Sequence, residues 1–144
     1  MKKFSLLYGL FCVGLALTTI LQFEGCANIV PPGGGPRDSL PPYLIAARPI
    51  DSATKVHPKE ILIGFNEYIT TSSIQENLIV SPTIKNIPLI DARLNSIRIR
   101  ISDTLLENTT YSIQFGNAIK DVNEGNILKN FTYVFSTGDK IDTG

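Results

Sequence analysis

From Tyr43 onward the hydrophobic residues recur at every second position. Ile61, Ile63 and Phe65 alternate with Leu62 and Gly64, and Ile97, Ile99 and Ile101 alternate with Arg98 and Arg100. Tyr111, Ile113 and Phe115 alternate with Ser112 and Gln114, and Phe131, Tyr133 and Phe135 alternate with Thr132 and Val134. Successive side chains of a strand point to opposite faces, so each run predicts a strand with one buried and one solvated side. Tyr43 to Arg48, Asn77 to Ser81 and Ile87 to Ala92 are shorter candidates. Turn formers separate the runs: Pro49-Ile50-Asp51-Ser52, Ser81-Pro82, Asn86, Asn108, and Asn123 to Asn126. Only Thr70 to Glu76 has the pattern for a helical turn or two. About seven short strands without βαβ spacing predict an all-β fold, an antiparallel sandwich over residues 43–138.

The pattern is different before residue 43. Lys2 and Lys3 precede an apolar run, Leu6 to Leu17, which leads through Thr18-Thr19 to the small residue Gly25 and then Cys26. That is the layout of an export signal over residues 1–25. It resembles a bacterial lipoprotein signal, whose cysteine becomes the first residue and carries acyl chains. The matching run is Phe23-Glu24-Gly25-Cys26, in which Gly25 and Cys26 fit and Glu24 departs. Two other readings stand beside it. Phe4 to Phe23 is near the roughly 20 residues that span a bilayer, although Ser5, Thr18, Thr19 and Gln22 interrupt it. An ordinary secretory signal would leave Cys26 without a role.

Residues 26–42 then read as a tether. Pro31, Pro32, Pro36, Pro41 and Pro42 cannot donate to a ladder, and Gly33, Gly34 and Gly35 lose too much entropy to order cheaply. No Lys-Ser/Thr follows the glycines, so they are not a phosphate loop.

Composition narrows the chemistry. The chain has 13 Lys+Arg against 13 Asp+Glu, and loss of residues 1–25 would remove only Lys2, Lys3 and Glu24. The basic residues do not cluster along the chain, which predicts no nucleic-acid partner. Cys12 lies in the apolar run, so Cys26 would be the one cysteine left, with no disulfide or thiolate metal site available to it. His57 is the single histidine and precedes Pro58, the setting of a surface loop residue rather than a nucleophile's base. Glu67, beside Tyr68 at a strand end, reads as a lone carboxylate, whereas a glycosidase needs two facing ones in a cleft.

Two polar features call for closer reading. In Lys120-Asp121-Val122-Asn123-Glu124-Gly125-Asn126, Asp121 and Asn123 match the first ligands of a calcium loop. Asn126 and Thr132 miss the later positions, so a solvated turn is the alternative, and no metal or cofactor is expected. Asp38-Ser39-Leu40, Asp51-Ser52-Ala53 and Asp103-Thr104-Leu105 resemble the O-glycosylation pattern of Bacteroidetes exported proteins, with Ser39, Ser52 and Thr104 as acceptors. The alternative is that each aspartate is a turn former. Tyr111, just after the polar turn Glu107-Asn108-Thr109-Thr110, stands where an Ig-like sandwich has a tyrosine corner, or it is a simple core tyrosine.

Several stretches together resemble one family. They are Gly25-Cys26-Ala27-Asn28, Pro31 to Pro42, Ile63-Gly64-Phe65-Asn66-Glu67-Tyr68, Thr110 to Asp121, and Phe135-Ser136-Thr137-Gly138. They are similar to the bacterial Ig-like domain named after the S-layer protein SbsA, in the form that opens Bacteroidetes envelope lipoproteins. The resemblance implies an Ig-like sandwich and a lipidated Cys26. It also implies an outer-membrane address facing either the periplasm or the outside. It implies no catalysis, and since members of this type usually continue well past the Ser-Thr-Gly strand, the tail at residues 139–144 is a candidate truncation point. The expected role is a non-enzymatic spacer or adhesion/assembly module, membrane-bound through its acyl chains, with an unknown protein or glycan partner. The alternatives are a carbohydrate-binding module or an accessory domain of a larger envelope protein.

Overall fold

The computed structural model describes residues 33–142, together with Tyr8, Gly9 and Phe11. Those three are helical, and the rest of the predicted signal, with Cys26, lies outside the described residues. Among the described residues no helix is long and apolar enough to cross a membrane.

The domain is all-β. Its strands are β1 (Leu44–Arg48), β2 (Glu60–Phe65), β3 (Ile69–Thr71), β4 (Ile79–Ser81), β5 (Leu89–Arg93), β6 (Ser96–Arg100), β7 (Thr110–Gln114), β8 (Ile119–Asp121), β9 (Ile127–Leu128) and β10 (Thr132–Ser136). They form a four-stranded sheet in the order β1-β2-β6-β5, and two three-stranded sheets in the orders β10-β7-β4 and β3-β8-β9. Every ladder pairing is antiparallel. The segment after β1 adds one parallel bridge, Ala53 to Phe135, fastened by Ser52 N–H to Val134 O at 2.8 Å and Ser136 N–H to Ala53 O at 2.8 Å.

The four alternating runs and the three shorter candidates are all strands, with ends shifted by one or two residues. The three additional strands are short. β8 and β9 follow each other across the acidic loop, and β3 takes the first part of the predicted helical stretch. Only a single turn remains there, α1 (Ile74–Asn77). Ile69 explains the difference: its buried side chain is drawn to the core, and β3 pairs with β8 at Ile69–Asp121 and Thr71–Ile119. Tertiary pairing overrides a local propensity this slight.

The core lies between the two larger sheets. Ile61, Ile63, Phe65, Ile97 and Ile99 come from one; Tyr111, Ile113, Tyr133 and Phe135 come from the other, with Phe115 just beyond β7. Tyr111 stacks on Phe135 with ring centroids 5.4 Å apart, and Phe131 meets both Phe65 and Phe115. Burying such side chains contributes roughly 1.5–3 kcal/mol each, which is what the alternation in sequence encodes. The Ser-Thr-Gly at the end of β10 is also packed: Thr137 Oγ donates to Leu106 O at 2.7 Å and accepts from Thr109 N–H at 2.9 Å. A Cβ on Gly138 would lie 3.0 Å from Asn108 Cα, so the close approach of these two backbones requires glycine.

The compact unit that holds the sandwich begins before β1, at Pro36. Pro42 is fully buried, and Arg37 Nη2 donates to Glu124 O at 3.2 Å. The proline argument rules out a place in a ladder. It does not rule out packing, and this end of the spacer packs.

Candidate functional site

Asp121 organises the end of the sandwich that the tether reaches. It sits on β8 facing inward and is 1% exposed. Its Oδ1 accepts the backbone N–H groups of Glu124 at 2.6 Å and Gly125 at 2.9 Å, and its Oδ2 accepts that of Asn126 at 2.8 Å. Burial pushes the carboxyl up, but the N–H donors of Gly125, Glu124 and Asn126 outweigh it and hold Asp121 below the usual carboxylate range. Gly125 makes the bend with φ +79°. The carboxylate in the first calcium-ligand position therefore spends both oxygens on its own loop. Among the described residues no group of three or more acidic, histidine or cysteine side chains is placed to hold a metal ion.

The fold brings further carboxylates to this end. Burial pushes Glu67 up, its hydrogen bond from Asn66 acts downward, and the charges of Asp121, Asp38 and Glu124 add to the rise. Asn126 Nδ2 donates to Asp38 O at 3.2 Å, tying the tether to the same loop. Sequence spacing carries no hint of this, because Asp38 and Asn126 meet only through tertiary packing.

The three Asp-Ser/Thr sites lie far apart in the chain, and Ser39, Ser52 and Thr104 are all exposed. Each preceding aspartate accepts a backbone N–H, Asp38 within its own turn and the other two across the fold. Asp38 Oδ1 accepts Leu40 N–H at 2.9 Å, Asp51 Oδ1 accepts Val134 N–H at 2.9 Å, and Asp103 Oδ2 accepts Asn86 N–H at 2.7 Å. His57 is exposed and meets Glu107 at 3.1 Å, an ion pair open to water when the imidazole is protonated.

One arrangement is invisible along the chain. The basic residues are scattered along the chain, but the register gathers four of the five arginines on one surface, the outer face of β1-β2-β6-β5. Arg48 pairs with Leu62, and Leu62 with Arg98, which pairs in turn with Asp91. The next row is Ala46-Gly64-Ser96-Arg93, and Arg100 stands between Glu60 and Leu89. All four guanidinium-bearing residues are exposed. The one ion pair on the face, Arg98 Nε to Glu60 Oε2, is loose at 3.9 Å. A shallow depression of about 250 Å³ lies over Ala46, Gly64 and Ser96, bordered by Arg48 and Leu62. The alternation of Arg98 and Arg100 with buried isoleucines was the available signal. Arg48 and Arg93 needed the pairing register.

A search of curated proteins finds no match. Among solved structures the fold is similar to an L,D-transpeptidase from Mycobacterium smegmatis (15% identity, TM-score 0.43, covering 69% of this chain and 41% of that one). It is also similar to the N-terminal part of the bacterial S-layer protein SbsC (18% identity, TM-score 0.46, 69% of this chain and 24% of that one). A longer SbsC structure aligns over 73% of this chain and 15% of its own length, at 16% identity and TM-score 0.46. The chain thus spans well under half of each of these proteins. The bacterial Ig-like domain family matches residues 38–137. That span contains every strand described above, and the chain belongs to the bacterial Ig-like domain family.

Proposed function

We propose that this chain is a non-enzymatic, lipid-anchored Ig-like module of the bacterial cell envelope, serving as a spacer or an adhesion/assembly domain. The observation that carries the reading is the junction at Gly25-Cys26. An export-signal layout ends at the chain's last cysteine, and a proline- and glycine-rich spacer leads from there into an Ig-like sandwich. Acylation of Cys26 gives that cysteine a role, and the spacer holds the domain off the lipid surface. The motif resemblance supports the narrower placement among SbsA-type domains of Bacteroidetes outer-membrane lipoproteins. Ser39, Ser52 and Thr104, all exposed, are the proposed glycan acceptors. The absence of catalysis is supported by the use of Asp121 within its own loop and by the lone His57.

Metabolic labelling with a palmitate analogue tests the anchor. The wild-type chain incorporates the label and Cys26→Ala does not; equal incorporation overturns the proposal. Protease shaving of intact cells then reports which way the domain faces.

A further inference from the structure

We propose that the outer face of β1-β2-β6-β5 binds an acidic polysaccharide, through Arg48, Arg93, Arg98 and Arg100. Placing a polysaccharide there rests on the envelope reading above; the anion-binding geometry does not. Three observations carry it.

The first is the choice of cation. Six lysines follow residue 26, and none lies on a strand of this sheet, whereas four of the five arginines do. Lysine and arginine solvate a face equally well. Arginine differs in presenting a planar fork that takes carboxylate or sulfate oxygens two at a time. The second is the contrast with the other large sheet, whose outward positions Thr110, Ser112, Gln114, Thr132 and Val134 carry no charge. A solvated face of this domain does not require arginines.

The third is shape. Arg48 and Arg98 flank Leu62 in one row, two interstrand spacings or about 10 Å apart. Arg100 lies two residues along β6 from Arg98, about 7 Å away. Beside the Arg48-Leu62-Arg98 row runs the depression over Ala46, Gly64 and Ser96, where the small side chains leave the sheet backbone close to the surface. Arg93 stands opposite Ser96, in the neighbouring hollow that also holds Asp91 and Arg98. A polymer chain can lie in that depression with its carboxylates towards the flanking guanidinium groups. A flat bilayer surface would meet the arginines and leave the depression empty. Asp91 sits beside Arg93 and Arg98 and Glu60 beside Arg100, so the acidic chain is held most strongly at Arg48, where no carboxylate is paired.

The full chain in detergent micelles is titrated with alginate, with neutral dextran, and with phosphatidylglycerol vesicles. Alginate binds, more weakly as salt rises, and dextran does not. Arg48→Gln/Arg98→Gln weakens alginate binding at least about tenfold, the loss of two forked contacts. Lys129→Gln/Lys140→Gln, with the same change in net charge off this face, stays within about twofold, and thermal unfolding confirms that both variants are folded. Gly64→Leu tests the depression with every charge kept. A Cβ at Gly64 has no neighbour nearer than 3.7 Å, so the sheet accepts it, and alginate affinity falls while vesicle binding does not. Equal weakening in the Arg and Lys variants overturns the site, as does binding of dextran as tight as that of alginate. Vesicle binding without alginate binding assigns the face to a membrane instead. If alginate binds but Cys26 takes no palmitate in cells, the anchor fails and the arginine face stands.

Discussion

The hydroxyl of Tyr111 accepts the backbone N–H of Leu106 at 2.9 Å, five residues upstream across the polar turn. This is a tyrosine corner, and it decides between the two readings that the residue's position left open. The ring is 2% exposed and stacks on Phe135, so one side chain serves the core and the turn together.

Tyr111→Phe keeps the stacked ring and loses only the acceptor. We expect a loss of about 1 kcal/mol in urea unfolding, the ordinary net value of one such hydrogen bond. Stability equal to wild type would mean that water satisfies Leu106 N–H and the corner contributes nothing.

Asp121 ties stability to acid. Its carboxyl is held below the ordinary range in the folded chain, so its contribution is complete above the unfolded value near 4 and is lost as pH falls through the folded value. Asp121→Asn presents a neutral amide to the three N–H donors, with one oxygen in place of two. It should be less stable than wild type at pH 7, by roughly 1–3 kcal/mol. The gap should narrow below about pH 4. Unfolding free energies measured from pH 2 to 7 check this, and parallel curves would refute it.

Tyr133 does the converse in alkali. Its ring is fully buried, its hydroxyl donates to Pro49 O at 2.9 Å, and burial, with the charge of Asp51 added, pushes it up to about 12. The raised value favours the folded chain below the unfolded value near 10, and the advantage is lost as pH rises from there through about 12. Tyr133→Phe removes that dependence. Subtracting its stability curve from that of wild type should therefore give a fall of roughly 2–3 kcal/mol between pH 10 and 12. A flat difference would show that the hydroxyl ionises without cost.

The strands that line the core were legible because burial of one face imposes a period of two, as in Ile97-Arg98-Ile99-Arg100. β3, β8 and β9 were not: β3 overlaps the stretch with a helical pattern, and β8 and β9 are short segments flanking the polar loop from Val122 to Asn126. Asp121 stood out in sequence only for its spacing in a polar loop. Its spacing suggested a cation ligand, and only the fold of Glu124 to Asn126 showed its oxygens turned on their own backbone.

The sequence by itself determined the alternating strands, the turns between them, and a cysteine at the end of an apolar run. These depend on neighbours along the chain. The tertiary structure alone decided that Pro42 is packed, that Asp38 reaches Asn126, and that Arg48, Arg93, Arg98 and Arg100 share a face. Alternation tells which residues of a strand share a side. It says nothing of which strands stand together or in what register, and a slip of one residue would send each arginine to the opposite face.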